Sequence, residues 1–338
     1  MCPVLTAETT QVSYGRQASF GTAATAIGSN RWPGPATQVE GIFPDIDWKE
    51  VWVRGGSRDV FQYVQGKRVL EGTIRFHAQE NSLMLLQHAM GKLTNTGGAD
   101  PFTHTIAGAG VAELHTPGPP ITLRRGYQLN ATQEIAYYVR DNIVNTMEIS
   151  GAEEDLVEVA LGIQAGKPDP ARATETIMSV TQDTSQIYSF KDTSLNLTLD
   201  SVAEARLKSF RFSVDNTGKM AQYYQSTDPD YPFEYIPARR RYVLEASVVP
   251  IEDTFLAKLE AASPITTATF DFKLTVQAAP AHSLQFNGTV AGASGVWKSA
   301  PYDIPEEAEI VVPITMWVSA AELVVLDANA ATTWTDAP

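Results

Sequence analysis

Five histidines stand in the 338-residue chain, His77, His88, His104, His115 and His282. No two lie at the His-x-x-x-His or His-x-His spacing that sets two imidazoles on one metal. The lone cysteine, Cys2, has no second thiol with which to form a disulfide or a thiolate cage. No Gly-x-Ser-x-Gly elbow and no Gly-x-x-x-x-Gly-Lys-Ser/Thr loop occurs, and Gly108 and Gly110 do not open a βαβ unit. What remains is carboxylates: Glu153, Glu154 and Asp155, then Asp228 and Asp230, then Glu306, Glu307 and Glu309. A two-acid glycoside hydrolase holds its carboxyls about 5 to 9.5 Å apart across a cleft. These clusters fall at turns and strand starts, where charges are ordinarily solvated. No catalytic, cofactor-binding or metal-ligating residue is therefore assigned, and the chain is not read as an enzyme.

Two other groupings suit surfaces better than reactions. Arg239, Arg240 and Arg241 form a basic hairpin turn, matched earlier by Lys67 and Arg68. An arginine fork binds carboxylate through two parallel hydrogen bonds, so these residues are candidates for contact with an acidic neighbouring subunit. Tyr223, Tyr224 and Tyr231 lie in a long polar segment between Asp215 and Pro232. Tyrosines without a basic groove beside them fit a protein interface better than base or sugar stacking. All eight residues are candidate subunit-interface positions.

The elements that must carry them repeat. Phe61-Gln62-Tyr63-Val64, Lys67-Arg68 and Val69-Leu70-Glu71-Gly72-Thr73 return as Phe233-Glu234-Tyr235-Ile236, Arg239-Arg240 and Val243-Leu244-Glu245-Ala246-Ser247. A period of about half the chain predicts two tandem domains of one fold. The boundaries expected are an arm over 1–45, a first domain over 46–168 and a second over 169–338, with Gly166 to Pro170 as a stiff linker. Alternating Val, Trp, Phe and Tyr predict strands at 50–53, 60–64 and 68–77, the last with Val69, Glu71, Thr73 and Arg75 on one face and Leu70, Gly72, Ile74 and Phe76 on the other, one of the two facing a core. Helical spacing of Leu83, Leu86, Met90 and Leu93 predicts a helix over 79–93, capped by Asn81 or Ser82, and Phe255, Leu256 and Leu259 predict its counterpart. Further strands are expected at 102–106, 120–124, 134–140, 143–150, 156–164, 195–199, 207–214, 233–236, 242–249, 269–276 and 310–318. The fold class is mainly β: a sandwich or open barrel with one flanking helix per domain, twice over.

Charge narrows the partners. With 39 acids against 25 bases the formal net charge is -14, which opposes ordinary cationic binding of nucleic acid. The first 30 residues lack a basic start followed by an apolar core, so no export leader is expected, and no apolar run near 18 residues predicts a membrane anchor.

The run Tyr14-Gly15-Arg16-Gln17-Ala18-Ser19-Phe20-Gly21-Thr22 resembles the opening of tail tube proteins of tailed phages with long non-contractile tails, the siphovirus type. The segments Gly66 to Leu93, Phe210 to Asn216 and Pro237 to Leu259 resemble the body of that family. The resemblance implies a structural virion protein, made in the host cytoplasm and built into the tail as stacked rings that conduct DNA. It implies self-association, with tape-measure and terminator proteins as further partners and double-stranded DNA passing through the lumen without specific binding. Single-domain relatives form six-membered rings, so two domains per chain imply three chains. An acidic wall would let DNA slide, because each neutralised phosphate adds affinity. The arm up to Pro44 and the loop from Asp215 to Pro232 are expected to contact neighbouring rings. The alternatives are a carbohydrate-binding surface β protein and a glycoside hydrolase using the acid clusters.

Overall fold

The computed structural model describes residues 10–22, 24, 32–35, 37–41, 48–51, 62–65, 70–108, 119–168, 173–178, 185, 187–190, 196–199, 202–221, 234–251, 255, 269–276, 279–289 and 310–330. Among these the backbone is antiparallel β with one short helix, as the residue alternation requires. The first half holds β1 (Thr10–Arg16), β2 (Gln38–Glu40), β3 (Trp48–Val51), β4 (Gln62–Gln65), β5 (Leu70–His77), α1 (Leu86–Met90), β6 (Gly91–Thr96), β7 (Phe102–Gly108), β8 (Ile121–Gln128), β9 (Gln133–Ala152), β10 (Glu158–Ala165) and β11 (Lys167–Pro168). The second holds β12 (Ala173–Thr176), β13 (Asn196–Leu199), β14 (Val202–Asp215), β15 (Lys219–Ala221), β16 (Glu234–Ile236), β17 (Arg241–Pro250), β18 (Thr269–Val276), β19 (Ala279–Thr289), β20 (Val312–Val318) and β21 (Ala320–Asp327).

One sheet runs β2-β5-β10-β9-β14-β17-β20 with every neighbour antiparallel. A second runs β13-β18-β19-β21-β7-β6, and β13 joins the two by also pairing with β14. Period-two alternation gives the first sheet one apolar face: Ile74 and Phe76, Leu161 and Ile163, Phe210 and Phe212, Leu244 and Val248, and Ile314 are all buried. That face packs on Phe272, Phe286, Leu323 and Val325 of the second sheet in one continuous cluster. Its densest point is aromatic. The rings of Phe272 and Phe286 stack at 4.5 Å, and Phe210 reaches across from β14 to within 5.0 Å and 5.3 Å of them. Such ring pairs add about 0.5 to 1.5 kcal/mol each beyond the area they bury.

Strand β9 differs from the expectation of two strands at 134–140 and 143–150, because it runs unbroken for 20 residues. Its bend falls at Asp141, where φ is +61°. The buried Gln17 side chain clasps that bend: its amide donates to Asp141 Oδ1 at 2.9 Å and its carbonyl oxygen accepts from the Asp141 amide at 2.7 Å. Gly21 N donates to the same carboxylate at 2.7 Å. Before the bend β9 lies between β8 and β12; after it, between β10 and β14. The stretch expected to be a linker is partly strand, since β11 pairs with Arg140 and Val139.

The helix is shorter than 79–93. A 3-10 segment, Glu80–Leu85, leads into α1, and Gly91 at φ +96° ends it, so Leu93 belongs to β6. Left-handed backbone at that point suits only a residue without Cβ. The start is capped by Gln79, whose N–H donates to Ser82 Oγ while that hydroxyl donates to the Gln79 carbonyl. Of the second expected helix only Phe255 lies among the described residues, fully buried.

Polar contacts tie the halves together. Asn145 Oδ1 on β9 accepts from Tyr235 Oη at 2.9 Å and from Gly218 N at 3.1 Å, and its backbone carbonyl accepts from Asn216 N at 2.9 Å. Burial raises the Tyr235 phenol to about 12. Elsewhere His282 on β19 stands between Glu80 at 2.8 Å and Asp100 at 2.9 Å. Burial alone would lower its pKa, but hydrogen bonds to Asp100 and Glu80 outweigh that and hold it above its ordinary value.

Replacing Asn145 with Ala leaves a largely buried hydroxyl unpaired and should cost about 1 to 3 kcal/mol in urea unfolding. Because the His282 pKa is raised in the fold, its stabilisation is complete below its unfolded value and is lost as pH rises through the folded one. The melting-temperature gap between the parent and His282→Gln should therefore be wide near pH about 6 and closed by about pH 9.

Candidate functional site

The opposite face of the seven-strand sheet is open to solvent, and alternation fills it with short polar and charged side chains. Its charges are paired across strands. Arg211 on β14 reaches Glu148 on β9 at 2.6 Å and Glu245 on β17 at 3.3 Å, and the Glu148 hydrogen bond is the main cause of its raised pKa. Arg75 on β5 meets Glu158 on β10 at 3.4 Å. Near the start of β14, Glu153 takes Lys208 at 2.7 Å and Arg206 at 2.8 Å, a pairing led by Lys208 that lowers its pKa. Exposed ion pairs of this kind contribute about 0 to 1 kcal/mol each, so their effect on stability is small. Their effect on the potential is larger. Glu40, Glu71, Glu148, Glu158 and Glu245 outnumber Arg75, Arg211 and Arg241, and the first two of these arginines are held by carboxylates.

The basic turn does not act as one cluster. Arg240 Nε donates to Asn216 Oδ1 at 2.6 Å, and its guanidinium lies over Gly108 of β7 beside Tyr242. A Cβ at Gly108 would collide with the Tyr242 hydroxyl. Arg239 is exposed, with its carbonyl accepting from Thr217 Oγ1 at 2.7 Å. Arg241 is exposed on the open face, directly opposite Asp215. Lys67, Arg68, Tyr223, Tyr224 and Tyr231 lie outside the described residues, as do Asp228, Asp230 and Glu306 to Glu309. Of the segment from Asp215 to Pro232, the first residues form β15, paired with β16 through Met220 and Tyr235.

Several contributors were hidden in the sequence. Glu148, Arg211 and Glu245 look like ordinary exposed strand residues until the register β9-β14-β17 brings them together. The same holds for Arg124, whose buried guanidinium pairs with Glu134 and receives Tyr138 and Glu175 around it. Met178 N closes that site on Glu134 at 2.8 Å, which pins the chain after β12 onto β9. Its geometry is that of a packing device: Glu134 meets the guanidinium through Nη2, Tyr138 meets it through Nε, and Glu134 is sealed from water. Among the described residues no group of three or more His, Cys, Asp or Glu could hold a metal ion, and no helix is long and apolar enough to cross a membrane.

A search of curated proteins finds no match. A family model described as phage tail tube protein matches residues 7–248, from the arm that carries β1 through the center of β17. That span takes in the Gln17–Asp141 clasp, all of β9 and the Glu148–Arg211–Glu245 ladder. Matched over well beyond half its length, the chain belongs to the phage tail tube protein family and is a structural protein of the virion tail.

Proposed function

We propose that this chain is the major tube subunit of a long non-contractile tail, that it carries two tandem tube domains, and that three copies close a six-domain ring. Stacked rings form the conduit for DNA, and the open face of the seven-strand sheet lines it. The observation that carries this reading is that face itself. It spans both halves without a break, and on it Arg75 and Arg211 are already engaged by carboxylates, while Arg241 stands exposed at the start of β17. A wall that conducts DNA must not grip phosphates, since each phosphate neutralised by protein releases counterions and adds affinity. Clamping a guanidinium between two carboxylates keeps the side chain while removing that grip.

The tandem reading is supported by the pairing pattern. β2-β5-β10 and β14-β17-β20 follow the same plan: a strand, a small hairpin, the central strand, then an outer strand. The repeat also keeps register, because Thr73 faces Glu40 and Gly162 while its counterpart Ser247 faces Ser209 and Pro313. Ile74 and Val248, one step further along, are both fully buried. Arg239 and Arg241, left exposed, remain available to a neighbouring subunit. Tape-measure and terminator proteins are the further partners this role calls for, and host cytoplasm is the place of synthesis.

Negative-stain microscopy of the purified chain tests the function: rings or tubes with three copies per ring are expected, and a protein that stays monomeric at every concentration overturns it. The lining is tested separately by Glu148→Gln combined with Glu245→Gln, which frees Arg211. The parent should show no measurable affinity for a short labelled duplex by fluorescence anisotropy. The double variant should gain one that fades between about 50 and 200 mM salt.

A further inference from the structure

The hairpin β15–β16 stands apart from both large sheets, and its root is seated on groups that belong to the other half of the chain. Asn216 Nδ2 donates to Ala89 O at the end of α1 at 2.9 Å and to Val144 O on β9 at 3.3 Å. Tyr235 and Gly218 converge on Asn145, next to Val144. Tyr235 is almost fully buried there, and a Cβ at Gly218 would run into its ring. The second half thus offers a hairpin whose seat the first half builds.

The first half has the matching hairpin. In β3–β4, Tyr63 lies opposite Glu50 as Tyr235 lies opposite Met220 in β15–β16, and Lys49 lies opposite Val64 as Lys219 lies opposite Ile236. Each hairpin leads into the central strand of its own repeat, β5 or β17. Two repeats make two hairpins, and among the described residues the one whose seat is visible is β15–β16, held by groups of the other half. We infer that hairpin β3–β4 docks on the second half of another copy of this chain, on the side bounded by β20, so that the seam between copies repeats the seam within one.

The β20 edge fits that occupant. Among the described residues β20 pairs only with β17, and beside its free edge Trp317, 51% exposed, stands on the open face while Val311, 42% exposed, immediately precedes the strand. Large apolar side chains exposed along a sheet edge invite a further chain. Pro313 on the same strand is also exposed and withholds one backbone donor, which makes that edge selective for a partner in one register. The occupant is a second copy because the matching element is in this sequence and the family is one whose members build a tube.

The inference rests on the tube reading, and its test separates the two. Ring formation is followed by sedimentation and microscopy for the parent, Tyr63→Phe, Trp317→Lys and Tyr235→Phe. Tyr63→Phe and Trp317→Lys should keep the parent's monomer melting temperature and raise the concentration needed for rings at least about tenfold. Tyr235→Phe should lower the monomer melting temperature, since its seat is inside the chain. If the parent assembles and both Tyr63→Phe and Trp317→Lys assemble at the same concentration as it does, the seam is wrong and the tube stands. If Tyr63→Phe destabilises the monomer as much as Tyr235→Phe does, β3–β4 is seated within its own chain and the inference falls. A parent that never assembles removes the tube reading and the seam with it.

Discussion

Everything in this protein hangs on β9. A 20-residue strand with ladders on both edges over much of its length is expensive to misplace, because a slip unmakes ladders on two sides at once. Through its first part it carries the arm strand β1 by way of β8; through its second part it carries β14 and hence the second half. The bend between those parts needs a residue in left-handed backbone, and here that residue is an aspartate, not a glycine. Its side chain is what makes the conformation tolerable, since Gln17 and Gly21 satisfy it away from water. A short run near the chain's beginning, otherwise poor in apolar residues, is thereby bound to the center of the fold.

Two kinds of electrostatic pairing do different work. Arg124 and Glu134 are sealed from water, where an unpaired member would be costly, so the pair fixes which strand lies against β9. Arg75, Arg211 and Glu153 pair in the open, where the energetic gain is slight and the gain in shape of the surface potential is what remains.

Much of the fold was legible in the residues. Alternation in 70–77 set Ile74 and Phe76 on one face of a strand with one side to the core, and both are buried. Leu83, Leu86 and Met90 are buried as helical spacing predicted, although the helix stops at Gly91. The opening run Tyr14 to Thr22 pointed to the right family, and the structure gives it a reason in Tyr14, which is buried, and Gln17. What the sequence withheld depends on register across long separations. No local pattern tells Glu148 that it will lie beside Arg211, or His282 that Glu80 and Asp100 will flank it. Strand β19 escaped for another reason: Ala, Ser, Asn and Gly interrupt its apolar residues, and its partners, not its propensities, hold it extended. The three arginines at 239–241 read as a unit in sequence, yet Arg240 is drawn onto Asn216 while Arg239 and Arg241 stay exposed.

The strict alternation of direction in the open-faced sheet has a geometric consequence. Among the described residues it has an odd number of strands, so its two outermost, β2 and β20, run the same way. Copies placed side by side with these strands touching would meet head to head in direction, with the slanted hydrogen bonds of a parallel pair. A wall that stays antiparallel around a closed circuit has an even count of strands per repeating unit. With the strands of the described residues alone, such a circuit would take one more strand at every seam, so parity constrains it before any side chain is considered.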